Sequence, residues 1–444
     1  MAVANAAVGA KSASVEGVDS DRIVKKVIWR LVPFLVLVFA MNMLVRVNIG
    51  FAALQMNQAI GLTATNFGIA SSCFWVSSVL VLVPGTMALG RFGARRTMTP
   101  FLVAWGILTV ATGFVQGVTS LYVCRFLLGL AEGAGASAIL LYLTYWILES
   151  HRARVNSWFF ISLPVTNALS LPLSALIMHN MHGIFGLAGW RWMYVVEGFP
   201  SIIIGVVAWH YMTDRPKDAK WLTEPERHWL QETIDKSLPV TRQHEGILGG
   251  FSNPLCYVFG MGWFGIAFFM SAITTFLPLV IRQLGYGNIY HISLISAIPF
   301  LVGLAAMLAW GNHSDKKRER MWHAVIGALV GGAGWILAYF MHSPVMVIAS
   351  VTIATAGLYG VQATFWALPP LVFSKKQMAV GLGLINAIGQ LGGLSPIIFG
   401  RIRDVTGNYN SAYLTVTAAM LVTGAASIVG TYWGRARKAG EAAG

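Results

Sequence analysis

Apolar blocks of about 20 residues recur along almost the whole chain, separated by short polar loops. At 1.5 Å per residue, a helix of that length spans roughly 30 Å, the thickness of a bilayer's hydrocarbon core. Composition points the same way: 56% of the 444 residues are hydrophobic and 11% are charged. Soluble domains carry roughly 25% charged residues, so solvated side chains cannot cover this chain's surface. A membrane barrel would instead alternate polar and apolar residues in segments of about ten, and that pattern is missing. Backbone polar groups in lipid must be satisfied within the segment, so the fold class expected is an all-α membrane protein.

The blocks fall near 29–52, 67–89, 97–116, 120–147, 155–179 and 192–212, then near 251–281, 291–310, 323–341, 346–370, 377–400 and 410–433. This predicts twelve transmembrane helices in two six-helix halves, 27–212 and 250–434, with tails at 1–26 and 435–444. The tail at 1–26 opens on small polar residues with no apolar core, so it reads as a disordered cytoplasmic tail and not as a signal peptide. The linker at 213–249 is rich in charge; Thr223 and Glu226 have capping-box spacing, and Trp229, Leu230 and Ile234 share a face. A short amphipathic helix lying on the membrane surface is expected there.

A net charge of +14 raises the question of nucleic acid, but its placement argues against such a partner. The basic residues gather at one set of loop ends, including Arg22 to Arg30, Arg91/Arg95/Arg96, Arg152/Arg154, the linker, Lys316 to Arg320, Lys375/Lys376 and Arg435 to Lys438. That asymmetry puts both termini in the cytoplasm of a multi-pass inner-membrane protein. Cys73, Cys124 and Cys256 lie in apolar runs and imply packing, with no disulfide or metal framework. His291, His313 and His323 lie at span ends without companions at ligand spacing, so no metal and no cofactor are expected. No nucleophile–base pair or phosphate-cradling loop is present either, and the chain does not read as an enzyme.

Several stretches resemble a known family. Gly90-Arg-Phe-Gly-Ala-Arg-Arg96 after the second span and Gly311-Asn-His-Ser-Asp-Lys-Lys-Arg318 after the eighth are similar to the paired loops of the major facilitator superfamily. Arg46-Val-Asn-Ile-Gly-Phe-Ala, Arg125-Phe-Leu-Leu-Gly-Leu-Ala-Glu132, Gly189-Trp-Arg-Trp-Met, Asp214-Arg-Pro-Lys-Asp-Ala, Phe365-Trp-Ala-Leu-Pro-Pro370 and Asn386 to Gly393 resemble its anion:cation symporter family. The resemblance implies a major facilitator fold and uptake of sugar acids, hydroxy-dicarboxylates or aromatic acids, usually driven by protons. It also favours Arg46, Arg125, Trp366 and Gln390 at substrate-contacting positions. The chain departs from the pattern at Val45 and Leu82, where acids are usual, at Ser78 for Tyr, at Gly90 for the loop acid and at Gln390 for Asn.

Ionisable groups inside a span cost at least ~2.5–3.5 kcal/mol, so each needs a partner or a wet cavity. Arg46 stands about fifteen residues past Leu31, roughly 22 Å along its helix. Arg125 and Glu132 are seven apart and share a helix face. Guanidinium forks match carboxylates, so Arg46 and Arg125 are the expected anion ligands, with Glu132 the expected proton-coupling group. The alternative is a self-satisfying buried ion pair. Glu197, at the start of the sixth span, reads as an interfacial anchor. Asn42, Ser78, Gln362, Trp366, Asn386 and Gln390 are candidate pocket residues, with Asn167 and Tyr142 as further options. Asp315, Arg91, Arg95 and Arg96 are candidate gate residues, the first loop lacking an acid of its own.

The expected partners are therefore a small organic anion, a proton as co-substrate and the lipid bilayer, for a monomer. Two rivals remain: a potential-driven uniporter or anion exchanger without proton coupling, and a membrane sensor that binds the anion without moving it.

Overall fold

The computed structural model describes residues 19–133, 135–237, 253–373 and 375–443, and every membrane-length block in them is helical. The first half comprises α1 (Ser20–Ala59), α2 (Ala64–Phe92), α3 (Ala94–Thr112), α4 (Val118–Glu132), α5 (Gly135–Thr144), α6 (Glu149–Asn180) and α7 (Gly189–Tyr211). After α8 (Glu224–Ser237) the second half comprises α9 (Pro254–Gln283), α10 (Ile289–Lys317), α11 (Met321–Phe340), α12 (Pro344–Phe365), α13 (Pro369–Val372), α14 (Lys375–Gln390), α15 (Ser395–Thr406) and α16 (Asn410–Ala443).

Among the described residues, ten segments are long and apolar enough to cross a membrane. The third and fourth crossings complete the twelve. α3 has 19 residues and opens on Arg95 and Arg96. The fourth crossing is broken into α4 and α5, of 15 and 10 residues. The eleventh is likewise interrupted, by a 3₁₀ turn at Leu391–Leu394 between α14 and α15. Helix starts follow ordinary capping: Asp19 accepts from Arg22 N–H, Thr63 from Asn66 N–H, and Asn253 from Leu255 N–H.

The linker helix differs from expectation. One bond of the expected capping box is present, with Thr223 N–H donating to Glu226 at 2.8 Å. The apolar face, however, packs on protein: Leu230 and Ile234 are buried in one cluster with Ile23, Val27 and Leu31 of α1. Glu226 fastens the contact through Lys26 Nζ at 2.8 Å. Burial pushes the Glu226 carboxyl up, but the Lys26 ammonium and the Thr223 N–H outweigh it and hold the group below its ordinary range.

The two halves touch at mid-depth and at the end of the bundle away from the termini and linker. There Asp404 accepts from the backbone N–H of Ala64 and Thr65, at 3.1 and 2.7 Å, at the start of α2. Arg282 Nη1 donates to the Leu54 carbonyl, and Tyr290 O–H to Asn180 at 3.3 Å. Gly50 meets the Thr274 carbonyl, Gly68 that of Pro396 and Gly400 that of Ala64, so closely that a Cβ would come within 2.4, 2.2 and 2.1 Å of the respective oxygen. Small residues let these helices touch backbone to backbone. At mid-depth Asn167 Nδ2 donates to the Tyr359 hydroxyl at 3.2 Å.

Candidate functional site

α1 and α4 bring Arg46, Arg125 and Glu132 together, and α2 packs Phe74 beside them. The Arg46 Nε–H donates to Glu132 Oε1. Glu132 is buried to 1% side-chain exposure while Arg46 keeps 21%. Arg125 is buried at 2%, and its Nε and Nη1 have no hydrogen-bond partner. Leaving a charged donor buried and unpaired is expensive. It interacts electrostatically with Tyr194, Glu132, Cys73 and Arg46.

Phe74 stands beside both cations. Its ring centroid lies 5.5 Å from the Arg46 guanidinium and 5.0 Å from that of Arg125. Trp75 covers Arg46 at 5.2 Å. The ring of Trp75 also presses on Gly393 of the second half, where a Cβ would come within 2.1 Å. The arginine site therefore reaches the interface between halves through an aromatic side chain. Gly129 and Gly133 of α4 allow α2 this close, each meeting an α2 backbone carbonyl, of Phe74 and Ser78 respectively.

Across the interface, Trp366 packs on Trp263 with centroids 4.8 Å apart. Gly389 abuts Trp263 so closely that only a glycine fits. Asn386, Gln390 and Trp366 are partly exposed. Gln362 is buried with its Oε1 unpartnered. Trp263 escaped the sequence reading because its neighbours are uniformly apolar.

The remaining candidates take other positions. Ser78 is turned back on its own helix, its hydroxyl donating to the Trp75 carbonyl at 2.8 Å. Tyr142 donates to the Thr213 carbonyl at 2.7 Å, at the linker. Asn42 is buried at 7% beside Glu132, with its Oδ1 unpartnered. Glu197 is no interfacial anchor: at 3% exposure it accepts from Asn48 Nδ2 at 3.0 Å and from the Ser174 hydroxyl at 2.6 Å. Helix α7 starts eight residues earlier than Glu197, which carries the carboxyl two turns into the bundle.

At the termini end, Arg91 and Arg96 are exposed, and Arg95 lies over Trp209 at 4.6 Å. Asp315 pairs with Arg320 inside its own loop. The first loop has an acid after all, supplied from the linker. Asp214 accepts from the Arg95 backbone N–H at 2.8 Å. It also abuts Gly93, whose φ of +85° and lack of a Cβ make the approach possible.

The described residues contain no group of three metal-ligating side chains. The arrangement sets two guanidinium groups and one carboxyl beside aromatic rings that reach the interface between the two halves.

The family model for the Major Facilitator Superfamily matches residues 35–396. A protein of Agrobacterium vitis named "Putative tartrate transporter" is 36% identical over 411 residues, covering 92% of this chain and 91% of that protein. One of Pseudomonas putida KT2440, named "Putative metabolite transport protein NicT", is 32% identical over 401 residues, covering 89% and 91%. Among solved structures, a bacterial homologue of the human lysosomal transporter Spinster superposes with a TM-score of 0.71 at 16% identity, covering 94% of this chain and 97% of that one. The chain belongs to the major facilitator superfamily and is a transporter of its anion:cation symporter type.

Proposed function

We propose that this protein imports a small organic carboxylate by proton-coupled alternating access, with both termini in the cytoplasm of the inner membrane. One observation carries the reading. Two guanidinium groups share one aromatic ring and one carboxylate, and Arg125 is buried with two nitrogens unpartnered. Two cations with one acid leave a net positive site for an anion of one or two charges. The Agrobacterium relative's name supports a hydroxy-dicarboxylate such as tartrate as substrate. Trp75, Trp263 and Trp366 supply apolar walls for the carbon skeleton, and Gln390 and Asn386 supply hydrogen bonds.

Hydrogen bonds and close backbone contacts join the halves at the far end, which supports a state that opens towards the end bearing the termini. Protonation of Glu132 would release Arg46 to bind substrate, and loss of the proton would restore the pair and expel it. Movement of the halves would then break the Asp404 contact and bring the loops of Arg91, Arg95, Arg96 and Asp315 together.

Uptake of labelled tartrate into proteoliposomes tests this. Accumulation is expected with an inward proton gradient, and loss of accumulation when the gradient is collapsed. The rival, exchange or uniport without protons, is favoured by Val45, buried at 1% where the family's usual acid would stand. Uptake indifferent to the gradient would select it.

A further inference from the structure

The junction of α10 and α11, beside Asp315, carries a chain of three titratable side chains that the transport reading leaves unused. His313 Nδ1 stands 2.7 Å from His323 Nε2, and His323 Nδ1 stands 2.7 Å from Glu319 Oε2. Glu319 also accepts the backbone N–H groups of Trp322 at 2.7 Å and His323 at 3.1 Å, at the start of α11. Burial pushes the Glu319 carboxyl up, but those N–H groups and the His323 ring outweigh it and hold the group below its ordinary range. A carboxylate only accepts, so His323 Nδ1 keeps its hydrogen. In the neutral ring Nε2 is then the bare nitrogen, and His313 Nδ1–H donates to it. This bond ties the end of α10 to the first turn of α11, and Trp310 Nε1–H adds a tie to the His323 carbonyl at 3.0 Å.

We propose that His313 and His323 form a proton-binding latch, which senses pH at the end bearing the termini and holds the Asp315 loop in shape. One added proton is compatible with the bond: whichever ring takes it, one of the two facing nitrogens donates and the other accepts. A second proton sets N–H against N–H and two positive rings against each other, and the bond breaks. Asp315 is engaged by Arg320, whose Nη1 also donates to Ser314 Oγ at 3.0 Å, while the Ser314 hydroxyl donates to the Glu319 carbonyl. Lys316, Lys317 and Arg318 are exposed in the same loop, and α16 carries Arg435, Arg437 and Lys438 at this end. α12 meets α10 and α11 here through the neutral Gly360, Val361 and Ala363. Cations in the loop outnumber its two acids and oppose the second charge, so the latch is closed near neutral pH and opens on acidification. Once it opens, α10 and α11 lose a tie where the Asp315 loop has to meet that of Arg91, Arg95 and Arg96. Closure at this end then slows. The latch itself needs no assumption about Glu132, and its effect on transport rests on the closing movement proposed above.

Counterflow of labelled tartrate with the same pH on both sides of the membrane removes the gradient and tests the latch. Between about pH 7.5 and about pH 5.5, where imidazoles charge, wild-type exchange should fall by about threefold or more. His313→Gln has an amide that can donate to a neutral His323 ring and accept from a charged one, so its latch stays closed. That variant should flatten the fall, whereas His313→Ala, with no latch, should be slow at both pH values. Equal falls in wild type and His313→Gln would overturn the pH role. Magic-angle-spinning NMR of protein carrying isotopically labelled histidine gives a readout that needs no substrate. A coupling between two ring nitrogens across a shared N–H is expected near neutral pH, lost on acidification and missing in His313→Ala. Its absence near neutral pH in wild type would overturn the latch. If the protein exchanges no tartrate, the substrate reading fails, and the nitrogen coupling alone decides whether the latch is there.

Discussion

Glu132 of α4 accepts the Arg46 Nε–H of α1 through Oε1, so one carboxyl ties the first crossing to the fourth. The pair is asymmetric in exposure, 1% for the acid against 21% for the arginine. A substrate can therefore reach Arg46 without displacing Glu132 from its own packing.

Glu132→Gln keeps the size and can still accept from Arg46, but it cannot lose a proton. It should flatten the dependence of uptake on the pH gradient while leaving counterflow measurable. Initial uptake rates at several external pH values check this. A wild-type pH profile in the variant would show that coupling lies elsewhere.

Phe74 should set the balance between the two arginines. A cation–π contact is worth about 0.5–2 kcal/mol, and this ring makes two. Phe74→Leu should therefore weaken the hold on both guanidinium groups and change the ratio of dicarboxylate to monocarboxylate uptake by roughly threefold to thirtyfold. Competition assays with paired mono- and dicarboxylates of one carbon skeleton measure the ratio.

Asp404 bridges the halves by holding two backbone N–H groups at the start of α2, where the helix dipole also favours an anion. Asp404→Asn should lower the population of the state closed at this end. Spin labels at Thr63 and Asn408, read by double electron–electron resonance, should show a longer distance becoming more populated. An unchanged distribution would remove Asp404 from the gate.

Glu197 should matter to stability before transport. Glu197→Gln keeps one acceptor oxygen for Asn48 and can donate its amide N–H to the Ser174 hydroxyl oxygen, so it should fold nearly as well as wild type. Glu197→Leu leaves both buried groups unpaired, at about 1–3 kcal/mol each, and should lower the melting temperature clearly. Thermal unfolding of the two variants, side by side, separates hydrogen bonding from size.

The helices and their order were legible because lipid imposes one hydropathy period on every crossing, and Arg46, Arg125 and Glu132 were legible because charge in an apolar run is rare. What sequence could not supply was the depth and direction of polar groups near helix ends. Glu197 reads as interfacial from its distance to Arg191, yet α7 begins early enough to bury it. Asp214 stands far from Gly93 along the chain, and only the fold makes it the acid of that loop. The apolar stripe of α8 is equally suited to lipid and to protein, and the Lys26–Glu226 pair marks where it packs on α1. Trp263 lies in an apolar run with no distinguishing pattern, and its contact with Gly389 is set by how α9 and α14 cross.

Anion recognition by two arginines is the central claim, and binding tests it without assumptions about the driving force. Isothermal titration of purified protein with a hydroxy-dicarboxylate should give a saturable heat that Arg46→Ala and Arg125→Ala each reduce by at least tenfold in affinity, a loss of about 1.4 kcal/mol or more. Unchanged affinity in both folded variants would contradict the account.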